Sequence, residues 1–77
     1  MDCNNTNLKR GSKGEQVREA QTLLSSRGFY GGRIDGEYGP YTEEAVRNFQ
    51  RSQGGLAVDG VIGPVTCKKL QGNTPTP

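Results

Sequence analysis

The side chains of this 77-residue chain that could carry out a reaction are few. They are two cysteines, Cys3 and Cys67, and a set of carboxylates, Asp35, Glu37, Glu43, Glu44 and Asp59, gathered around two loops. There is no histidine. A carboxylate hydrolase needs two acids across a cleft, one with a raised pKa, and neither spacing nor surroundings supply such a pair here. Cys3 has no evident base partner, so a thiol nucleophile is not indicated. Two cysteines without a histidine do not suffice for a metal centre, and no cofactor is implied. These residues make a poor case for catalysis by this chain itself.

The elements that position these groups are set by a stretch used twice. Residues 35–42 read Asp-Gly-Glu-Tyr-Gly-Pro-Tyr-Thr and residues 59–66 read Asp-Gly-Val-Ile-Gly-Pro-Val-Thr, 24 residues further on. Asp35-Gly36 and Asp59-Gly60 are turn signals, because the carboxylate bonds backbone N–H groups just ahead of it and glycine accepts positive φ. Gly39-Pro40 and Gly63-Pro64 then suit a helix start, with glycine near the N-cap and proline at the first helical position, where its missing N–H costs nothing. Thr42 and Thr66 fall in the first turn, where a hydroxyl can bond a free backbone group. Tyr38 and Ile62 are expected to plug the core. A phosphate cradle is disfavoured, since Asp35 and Glu37 repel an anion and neither common glycine-rich nucleotide motif is present.

Composition sets the outer limits. The length allows one domain with a small core. An apolar content of 30% and a mean hydropathy of −0.79 are low, yet the apolar residues are periodic and 12 glycines with 4 prolines account for much of the deficit. The net charge of +2 is spread along the chain, so no nucleic-acid footprint is indicated. No apolar run is long enough to cross a bilayer. The start Met1-Asp2-Cys3 lacks the basic and apolar regions of a signal peptide. If the protein acts outside the cytoplasm, it is then a fragment, has lost its signal, or is released by another route.

Residues 1–7 read as a polar tail and Leu8 as the first core anchor. Lys9 to Gly14 is a basic turn in which Ser12 is placed to cap the first helix. Val17, Ala20, Leu23 and Leu24 recur at helical steps and predict that helix from Glu15 to about Ser26, with Arg27 near its end and Gly28 as the left-handed terminal residue. Phe29 packs back, and Ile34 is expected to be buried. Ala45, Val46 and Phe49 predict a second helix from about Tyr41 to Gln53, with Glu43 and Glu44 in its first turn. Val17-Arg18-Glu19-Ala20-Gln21 and Val46-Arg47-Asn48-Phe49-Gln50 share Val, Arg and Gln, so the duplication extends into the helices. Gly54-Gly55 ends the second helix, Leu56 and Val58 are expected to enter the core, and a third helix runs from about Pro64 to Leu70, burying Val65 or Thr66. Residues 72–77 read as a Thr/Pro linker to a neighbouring domain. Cys3 and Cys67 leave two readings open: one disulfide, contributing at most about 4 kcal/mol, or two unpaired thiols.

Leu8, Gly11, Gly14, Val17, Gln21, Leu24, Gly28, Tyr30, Asp35-Gly36, Tyr38-Gly39, Thr42, Ala45-Val46, Phe49-Gln50, Gly55-Leu56, Asp59-Gly60, Gly63, Thr66 and Leu70 together resemble the peptidoglycan-binding domain 1 family, over nearly all of residues 8–71. The doubled Asp-Gly octet with Phe-Gln between is the specific part. The resemblance implies an all-α fold, a small closed bundle of three helices with an internal pseudo-twofold repeat and long Gly-rich loops. It also implies a non-catalytic module attached to bacterial or phage wall-degrading enzymes such as amidases, muramidases and endopeptidases. A related domain occurs in matrix metalloprotease propeptides, but the Cys-containing switch motif of those is missing here.

The resemblance supplies no sharp set of ligand contacts. A saccharide and short-peptide ligand needs flat aromatic surface for sugar faces and paired donors and acceptors for hydroxyl, amide and carboxylate groups. The candidates are Tyr30, Tyr41, Arg33, Arg47 and Gln50, with Arg27 behind them. Asp35, Gly36, Gly39, Asp59, Gly60 and Gly63 are read as structural turn residues. The expected role is to hold an attached hydrolase on peptidoglycan, working as a monomer at the cell wall without nucleic acid or membrane. The alternative is a protein-interaction or autoinhibitory domain packing on its catalytic partner.

Overall fold

The computed structural model describes residues 3–71; Met1, Asp2 and the Thr/Pro segment 72–77 lie outside the described residues. Three helices form, α1 (Glu15–Ser26), α2 (Pro40–Gln53) and α3 (Pro64–Leu70), preceded by a single 3-10 turn at Cys3–Asn5. The all-α reading holds. Val17, Ala20 and Leu24 of α1, Ala45, Val46 and Phe49 of α2, and Leu70 of α3 are buried together with Leu8, Tyr38 and Ile62. Each helix therefore puts its apolar stripe inward, and the large side chains from the octets fill the space between.

The punctuation works largely as the residue types dictate. Gly28 takes φ 84°, its N–H reaches Ser25 O at 3.0 Å and the Phe29 N–H reaches Leu24 O at 2.9 Å. Those two bonds are the Schellman end of α1, and they turn Phe29 back onto Phe49, edge to face at 5.6 Å. Pro40 and Pro64 occupy the first turns of α2 and α3 behind extended Gly39 and Gly63, the places their types predict. Gly36 and Gly60 both sit at φ 75°.

Several expectations are corrected. Ser12 does not cap α1: its hydroxyl accepts the Lys9 N–H at 3.1 Å and closes a turn upstream, while Gly14 at φ 124° leads into the helix with no side-chain cap. Ile34 and Val58, expected in the core, are 38% and 43% exposed, because the carboxylate turns that come after them direct Tyr38 and Ile62 inward instead. Leu56 is half-buried, and of the pair Val65 and Thr66 it is Thr66 that goes inside, with Val65 at 59% exposure.

Residues 3–14 belong to the fold rather than leading into it. Leu8 pairs with Ile62, N–H to O at 3.0 and 2.8 Å in the two directions. Gly11 N–H donates to Tyr38 O, Tyr38 N–H to Ser12 O, and Gly14 N–H to Gly36 O, at 3.0, 2.9 and 3.0 Å. One extended segment thus bonds to both octets. Cys3, on the stretch read as a tail, is buried and joined to Cys67 of α3 by a disulfide, with Cα atoms 5.4 Å apart. Arg27 closes the far end of α3, donating to Leu70 O at 3.2 Å and Lys69 O at 3.4 Å while its guanidinium lies 5.6 Å from the Phe49 ring centre. Among the described residues no helix is long and apolar enough to cross a membrane.

Candidate functional site

Two buried glutamines fix the loops that any site must use. The Gln21 amide N–H2 faces Asp35 Oδ1 at 3.1 Å, Glu37 O at 3.0 Å and Thr42 Oγ1 at 3.0 Å, and its carbonyl accepts the Gly36 N–H at 2.9 Å. The Gln50 amide faces Asp59 Oδ1 at 3.0 Å, Val61 O at 2.9 Å and Thr66 Oγ1 at 3.2 Å, and its carbonyl accepts the Asp59 and Gly60 N–H groups at 3.1 and 3.0 Å. The same set of bonds recurs, from the helix before each octet into that octet. Thr42 and Thr66 accept from these amides rather than meeting a helix terminus.

The turn carboxylates complete each cage. Glu37 N–H donates to Asp35 Oδ1 and Val61 N–H to Asp59 Oδ1, both at 3.0 Å. Hydrogen bonds to an ionised carboxylate favour that form. The Glu37 N–H, then the Gln21 amide, hold Asp35 below its ordinary pKa. The Val61 N–H does the same for Asp59, with Gln50 assisting against partial burial. Tyr38 is shifted the other way: burial first, then Glu43 and Asp59, push its phenol up, and the neutral hydroxyl donates to Gly60 O at 2.5 Å.

Gln50 is therefore removed as a ligand contact. It is 1% exposed, on the inner face of α2, with both ends of its amide occupied. Tyr30, expected among the ligand contacts, is 8% exposed; its hydroxyl donates to Arg33 O at 2.6 Å and accepts from the Gln21 amide at 3.3 Å. Arg47 is exposed but lies over Gly60, where any Cβ would meet its Nε at 3.0 Å, and faces Glu43, itself 3.5 Å from Arg10. Arg33 is exposed in the loop before Asp35.

Of the five candidates, Tyr30 and Tyr41 share one concavity. They line a groove of about 400 Å³ between the end of the α1–α2 loop and the outer face of α2. Its buried or half-buried members are Phe29, Tyr30, Ala45 and Asn48; Gly31 and Gly32 form its loop side; Tyr41 and Glu44 stand exposed along α2. Gly32 lies against the Tyr30 ring, so closely that a Cβ there would be 3.0 Å from it. Tyr41 is 80% exposed. Arg33, Arg47 and Gln50 do not line the groove. A larger concavity of about 470 Å³ on α1, with Arg18, Glu19, Thr22, Leu23 and Gln71, has no aromatic ring to offer a sugar face. A third, of about 330 Å³, surrounds Leu56, Pro64 and Val65.

Sequence reasoning missed Gln21, Glu44 and Asn48. Gln21 was signalled by sharing its place before the octet with Gln50. Glu44 and Asn48 stand three and seven residues after Tyr41, the spacing of one helix face. Among the described residues no cluster of potential metal ligands occurs.

Residues 13–70 match the family model described as a putative peptidoglycan binding domain. The chain is 46% identical over 63 residues to a spore cortex-lytic enzyme of Bacillus subtilis (strain 168), a match covering 82% of this chain and 21% of that protein. Among solved structures, the N-terminal domain of SleB superposes with TM-score 0.86 at 44% identity, over 92% of this chain and 96% of that one. A Burkholderia AP3 phage endolysin matches with TM-score 0.81 at 35% identity, over 94% of this chain and 27% of that one. The chain thus spans about a fifth of the curated relative's length and nearly the whole of one solved domain.

Proposed function

The chain belongs to the putative peptidoglycan binding domain family, and on that premise we propose that it is a non-catalytic module that holds an attached cell-wall hydrolase on peptidoglycan. Tyr41 carries this reading. It is a tyrosine ring 80% exposed at the edge of a groove, on a chain whose other four aromatic residues are buried or half-buried. A ring left in water beside a concavity supplies the flat apolar surface that a sugar face covers, and Asn48 and the Gly31-Gly32 backbone supply polar groups at its margin. Binding of this kind raises the effective concentration of a linked enzyme near the bond to be cut. The module acts at the cell wall, as a monomer, on glycan strand, stem peptide or both.

Retention of the purified chain on insoluble peptidoglycan, beside a chitin control, tests the proposal. Wild type is expected on peptidoglycan alone, and Tyr41→Ala, which removes an exposed side chain and leaves the core intact, is expected to lose retention about tenfold, the effect of one anchor residue. Tyr41→Ala bound as tightly as wild type would remove this groove from the function. No retention on walls of several chemotypes would overturn wall binding and shift the role to packing on a partner domain.

A further inference from the structure

The groove has a charge of its own, and it is negative. Glu44 is exposed on its α2 side. The adjacent Glu43 is engaged by Arg10 at 3.5 Å and Arg47 at 4.0 Å, but Glu44 has no hydrogen bond or ion pair among the described residues. Its neighbour Asn48 accepts from Arg51 Nη1 at 2.9 Å, which ties up the amide oxygen and leaves the N–H2 group for a ligand. No arginine or lysine lines the groove. A carboxylate with open lone pairs, beside two tyrosine rings, attracts a cation and repels an anion.

Resting on the wall-binding reading, we propose that this groove takes a primary ammonium group of the wall polymer: the free side-chain amine of an uncross-linked diamino residue in the stem peptide. Glu44 is its counter-ion, Tyr41 lies alongside and Asn48 donates to a neighbouring carbonyl. The anionic end of the stem peptide is excluded from the same place. The groove around Leu56, Pro64 and Val65 does not duplicate this chemistry. Lys68 stands where the 24-residue offset would put the second Glu44, and the acid lining that groove, Asp59, has its Oδ1 occupied by Gln50 and Val61. The module therefore prefers wall in which amines remain free, which is wall with fewer cross-links.

The test compares retention on peptidoglycan whose sugars are fully N-acetylated and on the same material treated with acetic anhydride, which then converts only the stem-peptide amines to amides and leaves carboxylates in place. Wild type is expected to bind the acetylated wall about fivefold more weakly, the upper end for an exposed ion pair. That difference should shrink as salt is raised. Glu44→Gln, an exposed and nearly isosteric change, is expected to bind both walls equally and at the weaker level. Equal retention of wild type on both walls would overturn the ammonium reading while leaving wall binding standing. Discrimination that persists in Glu44→Gln would place amine recognition elsewhere and overturn it too. Retention on neither wall would remove both readings together.

Discussion

At the scale of the residue, polar side chains divide by which way their helix turns them. Gln21 and Gln50 face inward and act as crosslinks between a helix and the loop after it, each binding groups 9 to 21 residues away in sequence. Among the described residues every buried side-chain nitrogen and oxygen has a partner, so removing one glutamine strands several groups at once. Gln50→Ala leaves the buried Gly60 N–H and the Asp59 N–H without their acceptor, at about 1–3 kcal/mol for each unmet group. We expect a loss of about 3 kcal/mol or more in urea unfolding, a large part of the stability of a domain this size. A loss under 1 kcal/mol would mean that water replaces the amide and that the cage is not a crosslink. Tyr41 and Glu44, turned outward on α2, should show the reverse pattern, with binding lost and stability kept.

At the scale of the element, α3 is the dependent one. Its seven residues are too few to be helical alone, and it is tied down by the disulfide to Cys3, the Leu8 and Ile62 pairing just before it, the Gln50 amide on Thr66 in its first turn, and the Arg27 bonds to its terminal carbonyls. The disulfide closes a loop of 64 residues' separation and on the chain-entropy account contributes about 4 kcal/mol. The Cys3→Ser, Cys67→Ser double variant is therefore expected to lose about 2–4 kcal/mol. In hydrogen exchange, amides of α3 should lose protection before those of α2. Equal melting of oxidised, reduced and double-variant protein would show that packing alone holds α3.

At the scale of the whole molecule, the two carboxylate turns make stability depend on acid. The folded-state pKa values of Asp35 and Asp59 are depressed, so their contribution is present above the unfolded aspartate value, about 3.9, and is lost as pH falls through the lower folded values. Tyr38 works at the other limb: its raised pKa contributes below the unfolded tyrosine value, about 10, and that contribution is lost as the pH rises further. The melting temperature is expected to be level through neutrality and to fall below about pH 4. Asp35→Asn, Asp59→Asn should start lower at pH 7 and fall less steeply in acid; a decline parallel to wild type would assign the acid sensitivity to other groups. The helices and both turns were readable from the sequence because their causes are local: a stripe at steps of three and four, glycine where φ is positive, proline in a first turn. The Gln50 misassignment has an equally physical cause. Polarity alone reads a helical glutamine as surface, and only packing places its amide opposite an Asp-Gly turn. The stitching of residues 8–14 to both octets, the Cys3–Cys67 bond, and the groove that Tyr30 shares with Tyr41 and Glu44 likewise bring together groups from different segments. Those contacts exist only once the helices have docked, so tertiary structure alone decided them.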